Sequence, residues 1–97
     1  MLLAATAYAA EATLASPPTP AVVEYYTRPM VRARLRLPDS LAGYTVARIE
    51  PVAGEPGRWE VEVRFSARTP FGGVTAHNAV FRMRHAAVAD AWVVTAR

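Results

Sequence analysis

Three features of the sequence predict an α+β fold, in which a helical segment lies across a four-stranded antiparallel meander. Two runs of alternating apolar and polar residues, Trp59–Ala67 and Thr75–Arg84, flank the pentapeptide Thr69-Pro70-Phe71-Gly72-Gly73, a hairpin signal. Two further β-rich stretches, 44–52 and 91–97, lie on either side of that hairpin. Ahead of them, residues 20–37 carry apolar side chains at helical spacing.

Met1–Ala10 reads MLLAATAYAA, an apolar run ending in small residues, with Ala7 and Ala9 spaced for signal-peptidase cleavage before Ala10. It lacks a basic start and a full apolar core, so 1–10 reads as a truncated signal peptide, with an alanine-rich helix as the alternative. Residues 11–19 read as a flexible proline-rich leader, and 20–97 as one α+β domain. This points to a periplasmic or secreted protein. The chain has no cysteine, which removes disulfides, thiol catalysis, cysteine zinc sites and a lipoprotein anchor. No run of about 18 apolar residues is present, so no transmembrane span is expected.

Pro17, Pro18 and Pro20 stop any earlier helix. Thr19 then suits an N-cap, with Pro20 at the first helical position, where its missing N–H costs nothing. The expected apolar stripe is Val23, Tyr26, Met30, Ala33 and Leu37. Pro29 interrupts it, so the segment of about 20–37 is expected to kink there or to restart with Thr27 as a second cap. Pro38 ends it. Arg28, Arg32 and Arg36 fall four apart and read as a solvated face.

The first strand, about 44–52, ends near Pro51 and is placed at an edge. Gly54-Glu55-Pro56-Gly57 is a turn into the second strand, about 58–68, in which Trp59, Val61, Val63, Phe65 and Ala67 face one way. The third, about 74–85, turns Thr75, His77, Ala79, Phe81 and Met83 to the same side. Folding about Phe71 sets Trp59 opposite Met83, Val61 opposite Phe81, Val63 opposite Ala79, Phe65 opposite His77, and Glu60 opposite Arg82. A slip of one residue would turn an apolar set toward solvent. For the last strand, about 91–97, Trp92 is expected opposite Met83 and Val94 opposite Phe81. Trp59, Val61, Val63, Phe65, Phe81, Met83, Trp92 and Val94 form the expected sheet side of the core.

The chemistry is sparse. His77 and His85 lack partners at metal-ligand spacing, and His77 reads as a partly buried residue beside Phe65. Ser40 and Ser66 have no nucleophile context. Glu60 and Glu62 share a strand face, but the neighbouring arginines favour a cross-strand ion lattice over carboxylate catalysis. Gly72-Gly73 is too short to cradle a phosphate. The reading is therefore of a protein that is not an enzyme, with no catalytic, metal or cofactor-binding residue. All eleven cations are arginines, interspersed with eight acidic residues to leave a net charge of +3, so no concentrated basic footprint for nucleic acid is expected. The candidate contacts for a protein partner are Arg64, Arg68, Arg82 and Arg84 on the polar sheet face, and Phe71 at the loop tip.

The order Val31-x-x-x-Leu35-x-x-Pro38-Asp39-Ser40, an alternating strand, then Phe71-Gly72-Gly73 resembles a small bacterial and phage-associated domain found in exported or envelope proteins. The resemblance spans approximately Val22 to Met83. Thr69-Pro70 stands where that domain usually has Asn-Ser. It implies the helix-and-meander fold and an envelope address, and it carries no catalytic residue. The expected function is a small exported binding or structural domain of the bacterial envelope. The alternative is an inhibitor or immunity-type protein that blocks a partner enzyme through the Phe71 loop.

Overall fold

A computed structural model describes residues 16–97. The expected signal remnant, 1–10, and the leader up to residue 15 lie outside the described residues. Helix α1 spans Pro20–Arg34, a short 3-10 turn spans Pro38–Ser40, and four strands follow: β1 (Ala42–Pro51), β2 (Arg58–Arg68), β3 (Val74–Ala86) and β4 (Ala91–Ala96). The sheet is an antiparallel meander in the order β1-β2-β3-β4, with α1 meeting β1 and β4 on one face. This is the α+β arrangement that the periodicity predicts.

Thr19 caps α1 by accepting the N–H of Val22 at 3.2 Å, and Pro20 opens the helix. Pro29 neither ends nor restarts it. The Tyr25 carbonyl loses its usual partner, but Tyr25 is 74% exposed and Pro29 is exposed too, so water can take the place of the lost bond. The helix stops at Arg34, short of the expected Leu37. Leu35 is already extended, and its side chain turns into the core. Leu37, directly before Pro38, is barred from helical geometry and is exposed.

The buried stripe of the helix is consequently Val23, Thr27 and Val31, with Val22, Tyr26 and Met30 beside it. Ala33 and Leu37, expected on it, are exposed. Thr27 is fully buried and is no cap. Its hydroxyl donates to the Val23 carbonyl at 2.7 Å, which leaves its oxygen to accept from the hydroxyl of Tyr44 on β1. Helix and sheet are thus joined by a satisfied polar contact inside an apolar interface. Burial, the largest effect, pushes the Tyr44 hydroxyl above its ordinary pKa of 10.0, against the lowering effect of the Thr27 bond.

The β2–β3 pairing agrees with the expected register throughout: Trp59 faces Met83, Val61 faces Phe81, Val63 faces Ala79, and Phe65 faces His77. The β3–β4 register differs by two residues, with Val94 opposite Met83 and Trp92 opposite His85. The connection explains the difference. The expected register would leave a two-residue loop of Ala87 and Val88, whose favoured turns require positive φ at Ala87 or at both, with no glycine or asparagine to supply it. The observed four-residue loop places the positive φ, 49°, on Asp90, a residue that tolerates it, and Asp90 accepts from His85 Nε2 at 3.1 Å.

The core consists of Val23, Val31, Val61, Val63, Phe65, Phe81 and Met83. Trp92 and Val94 pack at its margin as half-buried residues. Trp59 is also half-buried and stands outside this cluster, near the end of the ladder.

Candidate functional site

The face of the sheet away from α1 carries alternate residues of β2 and β3, and the expected ion lattice is present on it. Glu60 sits at its centre, with Arg97 Nη1 at 2.7 Å, Arg48 Nη2 at 3.4 Å and Arg82 Nε at 3.6 Å. Arg48 also reaches Glu50 at 2.8 Å and Glu62 at 3.5 Å. The hydrogen bond to Glu50 is the main reason that the Arg48 guanidinium holds its proton more tightly than usual. Glu60 and Glu62 are only 16% and 17% exposed, so their charges depend on these arginines. Arg48 lies on the outer strand β1, and Arg97 directly follows β4. Sequence reasoning about the central hairpin missed both, because their contact with Glu60 follows from strand order.

The five candidate contact residues do not form one patch. Arg82 is part of the lattice and bridges Glu55 and Glu60. Arg64 is tied to Glu62 at 3.4 Å. Among the described residues Arg68 and Arg84 have no carboxylate partner, but they stand at opposite ends of the hairpin: Arg68 faces Val74, whereas Arg84 faces Arg58. Ten residues of strand separate these positions, about 34 Å. Arg82 and Arg84 line one shallow pocket, and Arg68 and Phe71 stand together at the loop end.

That loop is internally braced. The Thr69 N–H donates to the Gly73 carbonyl at 2.7 Å, the Gly72 N–H to the Thr69 carbonyl at 3.0 Å, and the Gly73 N–H to Thr69 Oγ1 at 3.2 Å. Gly72 adopts φ 91°, where a side chain would be strained. Phe71 touches no core residue and is 98% exposed. Behind the loop, Val74 to Asn78 are all exposed, including Thr75 and His77, which stand on the face that α1 covers elsewhere.

His77 is therefore exposed, where partial burial was expected. It still stacks on Phe65, with ring centroids 5.5 Å apart, and Phe65 stacks in turn on Tyr44 at 6.0 Å. A row of rings thus crosses three strands, from the Thr27 contact to the open end of β3. Among the described residues no group of three or more histidine, aspartate or glutamate side chains is arranged to hold a metal, and no helix is long and apolar enough to cross a membrane. Comparison with family models, curated proteins and solved structures returns no significant match.

Proposed function

We propose that this chain is a binding domain of the bacterial envelope or its exported fraction, and that it engages a protein partner through the β2–β3 loop, with Phe71 as the anchor and Arg68 beside it. The observation that carries this reading is a nearly fully exposed phenylalanine on a braced loop. A loop already held by its own hydrogen bonds loses little entropy on docking, and aromatic and arginine side chains are enriched at interface hot spots. The lattice on the sheet face supports binding over catalysis: arginines surround Glu60 and Glu62, which suits a structural role better than proton transfer.

The envelope address rests on the sequence resemblance and on Met1–Ala10. N-terminal sequencing of the exported protein should begin near Ala10 or Glu11, and an intact cytosolic Met1 would refute export. For binding, affinity capture from envelope extract with the wild-type chain, Phe71→Ala and Arg68→Glu is the test. Loss of the same partner in both variants supports the proposal, and unchanged recovery in both overturns it. The braced loop also suits insertion into an enzyme cleft. That narrower reading requires tight, stoichiometric capture of a single enzyme.

A further inference from the structure

We infer that this protein pairs with a second copy of itself through the open edge of β3, in an antiparallel register centred on Ala76, so that two sheets join into one. Two hydrogen bonds set the phase of the strand. The Thr69 N–H to Gly73 carbonyl bond directs the backbone groups of odd-numbered β3 residues toward β2, and the Arg97 N–H to Val80 carbonyl bond, 3.0 Å, directs those of even-numbered residues the other way. The strand register of β4 reaches only to Phe81, and its last contact is that of Arg97 with Val80. Past that point the outward N–H and C=O groups of Val74, Ala76 and Asn78 face no described strand. This free stretch is about 17 Å long.

The two edges of the sheet are treated differently. On β1 the register with β2 is irregular twice, Gly43 has φ 63°, Arg48 and Glu50 are charged, and Pro51 closes the strand. Irregularities, charges and proline are the devices that keep an edge from recruiting another strand. From Val74 to Ala79, β3 has none of them, and its register with β2 is unbroken.

The occupant is a second copy because the edge is self-complementary. Centring on Ala76, the midpoint of the free stretch, sets Ala76 opposite Ala76, Val74 opposite Asn78 and Thr75 opposite His77. No arginine or carboxylate stands on this segment, so twofold pairing brings no such like charges face to face. Of the nearest arginines, Arg64 and Arg68 are on β2, and Arg97 stands beside Val80 on the same edge as the free stretch, its charge held by Glu60 at 2.7 Å. Across the joint, the two β2 strands would lie three strand spacings apart, about 14 Å, beyond the screening length of roughly 8 Å in physiological salt. Residues 74–78 are already exposed, and in this register only Arg97, which sits beside Val80 where the partner's Gly72 arrives, has to give way. The inference rests on backbone geometry and is independent of the proposed role of Phe71.

Sedimentation of the full chain from low to high micromolar concentration tests it. Wild type and Phe71→Ala should dimerise. Ala76→Lys, a change at an exposed position that sets like charges opposite one another, should remain monomeric with an unchanged circular dichroism spectrum. Because the chain has no cysteine, Ala76→Cys gives a second readout that does not depend on tolerance of the lysine. Hydrogen-bonded antiparallel pairs have Cα atoms about 5.5 Å apart, within disulfide range, so this variant should oxidise to a covalent dimer while Phe71→Cys does so far more slowly. A wild type that is monomeric throughout, a dimer that survives Ala76→Lys, or equal cross-linking at positions 76 and 71 would overturn the inference.

Discussion

The two halves of the β2–β3 hairpin share one unbroken ladder, yet different things are built on them. In the half near β4, Val61, Val63, Phe81 and Met83 are 0–2% exposed, sandwiched between flanking strands and beneath α1. In the half near the loop, Thr75 and His77, on the same face of β3, are exposed. Alternation continues through both, so strand pairing alone does not commit a face to the core. A neighbour has to arrive, and α1 and β4 serve only one end of β3. β2 differs, because the 3-10 turn reaches its loop end, and Phe65 and Ala67 stay buried there.

This contrast is broken most readily by truncation. Phe81→Ala should destabilise the fold by about 3–5 kcal/mol, whereas Thr75→Ala, on the same face in the loop half, should change it by no more than about 0.5 kcal/mol, both measured by urea unfolding. Similar losses at both positions would mean that the far half is packed after all.

Pro29→Ala addresses the element that covers only the near half. Restoring the hydrogen bond to Tyr25 should stabilise α1 by an amount approaching about 3 kcal/mol, read as a rise in the urea midpoint. An unchanged midpoint would show that solvent already satisfies the Tyr25 carbonyl fully.

Thr27→Val, which keeps the shape of the side chain but leaves Tyr44 without an acceptor, should cost about 1–3 kcal/mol. Adding Tyr44→Phe should recover part of that loss, and strictly additive losses would mean that the two hydroxyls are not coupled. The same pair gives a pH dependence. The folded state holds the Tyr44 proton more tightly than the unfolded chain, so this contribution is complete below the unfolded value of 10.0 and is lost as pH rises through the higher folded value. Stability should therefore fall above about pH 10, and Tyr44→Phe should flatten that part of the curve.

The residues that were legible in the sequence were those whose partners also alternate. Both faces of β2 and β3 restrict the register, Glu60 with Arg82 on one side and Val61 with Phe81 on the other, so the pairing could be read residue by residue. β4 has six residues, and a shift of two preserves which way each side chain points, so alternation cannot distinguish the two registers. Turn chemistry at Asp90 does. Thr27 looked like a cap because a hydroxyl in a helix is usually exposed or terminal, and its partner Tyr44 lies seventeen positions away. The four arginine candidates read as one face from strand alternation, with Phe71 at the loop tip as a separate candidate. Distance along the strands separates Arg84 from Arg68, and β1 and the residue after β4 supply the arginines that complete the lattice.

Residue-resolved hydrogen exchange on β3 at two protein concentrations tests most directly the claim that one half of the hairpin belongs to the core and the other to a partner. The amides of Arg82 and Arg84 should be protected at both concentrations. Those of Val74, Ala76 and Asn78 should exchange fast in dilute solution and slow as concentration rises. Uniform protection along β3 at both concentrations, or an open half that stays unprotected at high concentration, would contradict it.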